Sequence, residues 1–406
     1  MQKRKKVYKT NEMFYNTSMV AMLQENGRMR RIMSERKRSE ERVVLVRKSH
    51  RRKKEKRGKF MDAEKIKTMT EKNKNYMPNR NRYASMRYRR AGTSGLKIPE
   101  VSLGLWHNFG SVDCFENMRD MIFTAFDAGV TLFDIANNYG PVPWSAEKNF
   151  GRILKNDLAA YRDEMVITTK AGYYGWDGPY GDDGSRKYLI ASLDRSLKNI
   201  GVDYVDVFYH HRPASETPLE ETCMALKRII DSGKALYIGI SNYFSEDMEA
   251  AVKILSEYRI PIILDQVRYS MFDRRVEKDG LLAAAKQEGV GLTIFSPLEQ
   301  GILTDRYLNG IPEDSRAGKG GFLKRSAITE DTLKKVRALK EIAEERGQTL
   351  SQMALSWVMK EDVVSSVIIG ASRSEQIEEN LKLNTSFAKE ELAAIDRICL
   401  GEKTDE

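Results

Sequence analysis

Seven short stretches of this chain each end an apolar run on a polar or small residue. FDIANNYG supplies Asp134, ITTKAG Lys170, FYHHR His211, GISN Ser241 and Asn242, LDQV Gln266, FSPL Ser296, and IIGAS Gly370. Tyr139 lies near the end of the first. A carboxylate, an ammonium, a phenol and an imidazole brought together can hold, orient and deliver a proton, while amides and hydroxyls beside them can bind a polar ligand. Each residue alone has an ordinary reading: Asp134 as a helix cap, Lys170 as a solvated strand end, Tyr139 as a loop aromatic. What argues for chemistry is their joint placement, strand after strand, on one rim. The chain has four histidines, and two are adjacent in DVFYHHRP. Successive side chains on a strand point to opposite faces, so at most one of His210 and His211 can enter a given pocket.

The elements that position these residues repeat. After a β-hairpin (MRYRRAG, LKIPEV), apolar runs recur as VSLGLW, TLFDIA, MVITTKA, YVDVFYH, ALYIGIS, PIILDQV, GLTIFSP and SSVIIGA. Each is short and rich in β-branched or aromatic residues, as a strand buried on both faces requires. Between them lie segments such as KYLIASLDRSLKNIG and EDMEAAVKILSEY, apolar at helical spacing with a Gly or polar stop. Eight such units over about 300 residues predict an α/β fold of the (β/α)8 TIM-barrel type, which typically takes about 250 residues plus insertions. In that fold the chemistry sits on the loops at the C-terminal ends of the strands, where the polar residues fall. A doubly wound sheet is the alternative; it would carry a Gly-rich phosphate turn after its first strand, and VSLGLWHNFG has no GxGxxG.

Charge divides the 406 residues unevenly. Residues 1–77 hold 25 Lys and Arg against 9 Asp and Glu, and residues 78–406 hold 43 against 49. The overall +10 therefore describes a basic arm before a mildly acidic body. The division expected is 1–77 as a basic, disordered extension and 78–406 as the barrel; a translation start at Met61 or Met77 would leave the extension out. The longest apolar run in the arm's most basic part, VVLV, is too short for a signal-peptide core or a membrane span. SHRRKKEKRGK could grip nucleic acid or an anionic surface by charge alone, but a solvated tail is the plainer reading. Cys114, Cys223 and Cys399 are far apart with no CxxC pair, which fits a reducing cytoplasm and speaks against a disulfide frame or a zinc site.

The stretches FDIANNYG, ITTKAG, DVFYHHRP, GKALYIGISN, LDQV, FSPLEQGILTDRY and IIGASRSEQIEEN resemble the aldo-keto reductase family over almost all of residues 80–400. Within it, WHNFG, NNYGPVPWSAEKNFGRIL and KAGYYGWDGPYG are similar to the bacterial L-glyceraldehyde-3-phosphate (methylglyoxal) reductase branch, a sister of the potassium-channel beta subunits. The resemblance implies a catalytic set of Asp134, Tyr139, Lys170 and His211, the histidine standing five residues after Asp206. His210 is then expected to face away as a packed or tautomer-fixed core residue. It further implies NADPH as cofactor and no metal. Ser241, Asn242 and Gln266 match positions that hold the nicotinamide carboxamide, and Phe295 the position that stacks on its ring, with Trp106 close by. Ser296, Leu298, Gln300 and Arg306 match the pyrophosphate cradle, Arg316 a loop folded over the cofactor, and Gly370 the last strand end. Ser372 and Gln376 match positions near the adenosine 2′-phosphate, Arg373 adds charge there, and Glu379 and Asn380 match adenine contacts. Two departures stand out: Arg306 where near relatives often carry Lys, and Glu299, an acid beside a phosphate loop.

The chemistry supports the same four residues. Reducing a carbonyl needs a hydride on carbon and a proton on oxygen, hence a general acid beside the nicotinamide. Tyrosine is a weak acid; a close lysine ammonium is expected to lower its pKa, with Asp134 keeping Lys170 charged, and a neutral His211 to polarise the carbonyl. Trp106, His107 and Tyr139 are expected to shape a small pocket. Arg212 or the loop YYGWDGPYGDDGSRK would meet a substrate phosphate or hydroxyl, and the resemblance to the reductase branch implies a small aldehyde such as methylglyoxal or glyceraldehyde 3-phosphate as substrate. The alternative is a cofactor-binding regulatory subunit with vestigial turnover; the channel relatives commonly replace the histidine by Asn, so His211 favours a working reductase. The sequence leaves a homo-oligomer open, and the acidic body speaks against nucleic acid as a partner.

Overall fold

The structure, a computed structural model, describes residues 62–401. The chain divides into a unit of residues 1–65 and one of residues 66–406, and the fold below is that of the second. All eight expected strands form: β3 (Val101–Gly104), β4 (Leu132–Asp134), β5 (Val166–Ala171), β6 (Val205–His210), β7 (Ala235–Ser241), β8 (Ile262–Arg268), β9 (Gly291–Phe295) and β10 (Val364–Ile369). They close in the order β10-β3-β4-β5-β6-β7-β8-β9, each pair parallel. This is the (β/α)8 barrel that the alternation of short apolar runs and amphipathic segments requires.

Helices follow the strands because the sequence both starts and stops them. Helix Arg186–Ile200 begins at Ser185, whose side chain accepts from the Tyr188 amide, and ends at Gly201 with φ 79°, a cap that glycine adopts without Cβ strain. It buries Tyr188, Leu189, Leu193, Leu197 and Ile200 against the barrel. Most of the core is this outer layer between strands and helices. A smaller cluster, Ala91, Ile98, Leu132, Val166, Val207, Tyr209, Ile263 and Leu264, fills one end of the barrel. Ala91 and Ile98 belong to the hairpin of β1 (Tyr88–Arg90) and β2 (Lys97–Pro99). The Thr93 amide donates to Gly289 O just before β9, and Arg89 donates to the carbonyl of Val364 where β10 begins. The hairpin therefore closes the N-terminal end of the barrel and leaves the C-terminal end for the site.

Of the arm expected over residues 1–77, residues 1–61 lie outside the described part. Its final portion is structured: helix Ala63–Lys72 buries Met69, and Tyr76 stacks on Phe123 at 3.8 Å while its hydroxyl donates to Asp127. The apolar side chains Met69 and Tyr76, set among many charges, are what let this stretch pack. Cys114, Cys223 and Cys399 are free thiols. Among the described residues no three His, Cys, Asp or Glu side chains cluster to hold a metal ion, and no helix is long and apolar enough to cross a membrane.

Candidate active site

Strand parity builds the site. Thr168 and Lys170 lie two apart on β5 and so share its inward face. Asp134 is the last residue of β4, paired in register with Thr168. The Asp134 carboxylate accepts from Lys170 Nζ at 2.6 Å, from Thr168 Oγ1 at 2.9 Å and from Gln266 Nε2 at 2.8 Å. Lys170 spends its three N–H donors on Asp134, on Ile135 O at 2.8 Å and on Tyr139 Oη at 3.1 Å. Both charges are buried, and a buried pair is tolerable only when its hydrogen-bonding capacity is filled, as it is here. The ammonium donates to the phenol oxygen, so the phenol's own proton remains free to be donated elsewhere.

His211 follows directly on β6. Its ring stands edge-on to Tyr139 at 5.9 Å and to Tyr173 at 4.7 Å. His210 faces the other way, where its Nδ1 is 2.7 Å from Tyr243 Oη in a fully buried position. The alternation of the strand thus separates the two histidines as expected. Burial, and after it the positive charge of Lys170, holds the His211 imidazole well below its ordinary 6.5. It is neutral across the physiological range, the form that can donate one hydrogen bond without carrying charge.

Tyr139 departs from expectation. Burial first, then the carboxylate of Asp134, raises its pKa well above the ordinary 10. The ammonium that was expected to draw it down does donate to the phenol oxygen, at 3.1 Å, but burial and Asp134 prevail. Burial also lowers the Lys170 pKa, against the pull of Asp134. The site stores a protonated phenol.

The other residues expected on the rim lie as follows. The Trp106 ring is 6.3 Å from Tyr139 and 4.1 Å from His107, and Phe322, 69 % exposed, leans on Trp106 at 4.7 Å. Burial, with Arg316 nearby, pushes the His107 imidazole down to about 4. Ser241 Oγ donates to Gln266 O, and Asn242, left-handed at φ 61°, donates to His211 O. Phe295 ends β9, and Ser296, Leu298 and Gln300 follow in a turn with left-handed backbone at Ser296, Glu299 and Gln300. Arg306 pairs with Asp314 at 3.2 Å, tying it to the segment that leads to Arg316. A Cβ on Gly370, the residue after β10, would lie 3.7 Å from Arg316 Nη2, so the guanidinium crosses the strand ends there. At the start of helix Ser374–Asn380, Gln376 Oε1 accepts from both the amide and the hydroxyl of Ser372. Arg373 is 3.6 Å from Glu375, Glu379 O accepts from Gln352, and Asn380 is buried.

The Arg212 guanidinium is committed: it donates to Gly172 O at 2.7 Å, pairs with Asp182 at 3.0 Å and lies over the Tyr173 ring. It shapes the wall beside His211. Thr168 and Tyr173 lie in the quoted stretches ITTKAG and YYGWDGPYGDDGSRK but are not singled out there. Thr168 was findable, since i and i+2 on a strand share a face and Lys170 had been singled out. Tyr173 depends on a loop path that no local pattern encodes.

The chain belongs to the aldo/keto reductase family, whose sequence profile matches residues 100–399, and its eight-stranded barrel carries the buried Asp–Lys–Tyr group and the neutral histidine at its C-terminal rim. It is 53 % identical over 328 residues to the L-glyceraldehyde 3-phosphate reductase of Escherichia coli K12, covering 79 % of this chain and 95 % of that protein. It is also 38 % identical over 302 residues to a probable voltage-gated potassium channel subunit beta of Arabidopsis thaliana, covering 73 % of this chain and 90 % of that one. A probable channel subunit beta of Oryza sativa subsp. japonica is 37 % identical over the same length.

Proposed function

We propose that the chain reduces small aldehydes, among them L-glyceraldehyde 3-phosphate and methylglyoxal-like compounds, with NADPH as cofactor and Tyr139 as general acid. The observation that carries this reading is the bond from Lys170 Nζ to Tyr139 Oη, because it leaves a protonated phenol with its proton uncommitted beside a neutral imidazole.

The residues present fit a dinucleotide. Three polar atoms near the strand ends, Asn138 Oδ1, His211 Nδ1 and Gln300 Oε1, are buried with no protein partner, and buried polar atoms rarely stay unpaired without a ligand or water. The Arg316 guanidinium lies over Gly370 with no carboxylate paired to it among the described residues. Ser241, Asn242 and Gln266 would hold the carboxamide and Phe295 the face of the ring. Ser296, Leu298, Gln300, Arg306 and Arg316 would take the diphosphate, and Ser372, Arg373, Gln376, Glu379 and Asn380 the adenosine. When bound, the nicotinamide supplies the hydride.

This chain's side chains do the rest. His211 donates to the carbonyl oxygen and favours charge on it, as a neutral donor in a dry site does. Tyr139 gives its proton to that oxygen. Lys170, held by Asp134, Ile135 O and Tyr139, stabilises the phenolate left behind and so offsets the burial that disfavours it. Trp106, His107 and Phe322 limit the space to a small substrate.

Purified protein with a panel of aldehydes and either NADPH or NADH tests the reading. Turnover of the small aldehydes with a preference for NADPH is expected. Tight NADPH binding with no appreciable turnover of any aldehyde would instead favour a regulatory subunit, the role that the names of the plant relatives carry.

A further inference from the structure

Glu299 is an acid in the turn that this reading gives to the diphosphate, where a carboxylate aimed at the ligand would repel it. The structure turns it away. Its side chain is buried, with Oε2 accepting from Arg268 Nη2 at 2.5 Å and Oε1 from Ser270 Oγ at 2.6 Å. Arg268 is the last residue of β8, two positions after Gln266, and its Nε lies 3.1 Å from Asp273 Oδ2. The Ser270 hydroxyl also accepts from the amides of Phe272 and Asp273. Glu299 therefore ties the turn after β9 to a braced loop after β8.

That turn needs bracing. Ser296, Glu299 and Gln300 have φ of 55°, 47° and 57°, a left-handed conformation that residues other than Gly, Asn and Asp rarely adopt unless the surroundings impose it. Its other supports include backbone bonds within the turn, Glu299 N to Ser296 O, Gly301 N to Leu298 O, Ile302 N to Glu299 O and Leu303 N to Leu298 O, Thr304 Oγ1 donating to Gly301 O, and the packing of Leu298 and Ile302 on the core. The Glu299 carboxylate adds charge-assisted bonds that join it to the end of β8.

We propose that Glu299 is a positioning residue: clamped by Arg268 and Ser270, it holds residues 296–301 in the left-handed turn that receives the cofactor diphosphate. The proposal rests on the dinucleotide reading above. It accounts for an acid beside a phosphate site: the charge is satisfied on the far side of the turn and shapes the near side.

The test compares the wild type with Glu299→Ala, Arg268→Ala, the double variant, and Ser270→Ala, which changes almost no volume. NADPH affinity is measured by quenching of protein fluorescence, and hydrogen exchange of residues 296–303 is followed without cofactor. Expected are a rise in NADPH Kd of about 10- to 100-fold for Glu299→Ala, as the loss of charge-assisted bonds implies, and a smaller rise for Ser270→Ala. The double variant should be no worse than the worse single variant, and exchange across the turn should quicken in each. Loss of saturation should outweigh loss of kcat. Unchanged or tighter NADPH binding in Glu299→Ala would overturn the clamp, and so would weaker binding with unchanged exchange, since the carboxylate would then act on the ligand directly. If the wild type itself does not bind NADPH, the dinucleotide reading is what fails.

Discussion

At the scale of the residue, the two adjacent histidines separate chemistry from packing. If His211 donates to the carbonyl oxygen as proposed, His211→Ala should lower kcat by a factor corresponding to roughly 2.7–4 kcal/mol, the range for an oxyanion-hole donor. His210→Ala breaks the bond to Tyr243 and leaves a void, so it should lower the melting temperature with a smaller effect on kcat. The reverse assignment of the two phenotypes would overturn the strand register. His210 also predicts a pH dependence. Burial pushes its imidazole down to about 4, against an ordinary 6.5 in the unfolded chain. The unfolded state therefore takes up the proton first, and stability present above 6.5 is lost as pH falls toward 4, at most about 3 kcal/mol by linkage. Melting curves between these pH values should flatten in His210→Ala. Gln376→Glu is the cofactor counterpart. A carboxylate can still accept both bonds from Ser372, so the change is chiefly one of charge, and NADPH binding should weaken far more than NADH binding. Equal weakening would show that Gln376 is not near the 2′-phosphate.

At the scale of the element, strands were the most legible part of the sequence. The eight strands and the helical periodicity between them survive in the structure, because a barrel buries both faces of every strand, though VSLGLW and TLFDIA form strands of only four and three residues. Asp134 and Lys170 were legible from strand ends, whereas Tyr139, in the loop after β4, joined them through the family resemblance. What local pattern could not give was the sign of the Tyr139 shift, which turns on the burial of the whole group, or the commitment of Arg212 to Asp182 and Tyr173. Nor could it show that Glu299 points away from the phosphate turn, since that depends on Arg268 from another strand. The hairpin supplies its own prediction. Gly92 has φ 57°, and a Cβ there would fall 2.1 Å from Gly289 O, backbone that cannot swing aside. Gly92→Ala should destabilise the fold by about 2 kcal/mol or more through strain and clash. It lies at the barrel end opposite the site, so thermal melting should register the change before kcat at low temperature does.

At the scale of the molecule, the basic arm and the acidic body are separable in charge but not at the boundary the composition suggests. Composition placed the division at residue 77, whereas Met69 and Tyr76 already pack on the unit that carries the barrel. A version beginning at residue 62 should melt and turn over like the whole chain, whereas one beginning at 77 loses the stack on Phe123 and should melt lower. Loss of turnover on removing only residues 1–61 would give the arm a part in the reaction that the account does not grant it.

The central claim is that Tyr139 delivers the proton. The most direct measurement is kcat for a small aldehyde together with NADPH affinity in Tyr139→Phe, which keeps the ring and its packing on Trp106 and His211 and removes only the hydroxyl. The account predicts a fall in kcat of about 10²- to 10⁴-fold with NADPH affinity nearly unchanged. Turnover near that of the wild type would contradict it.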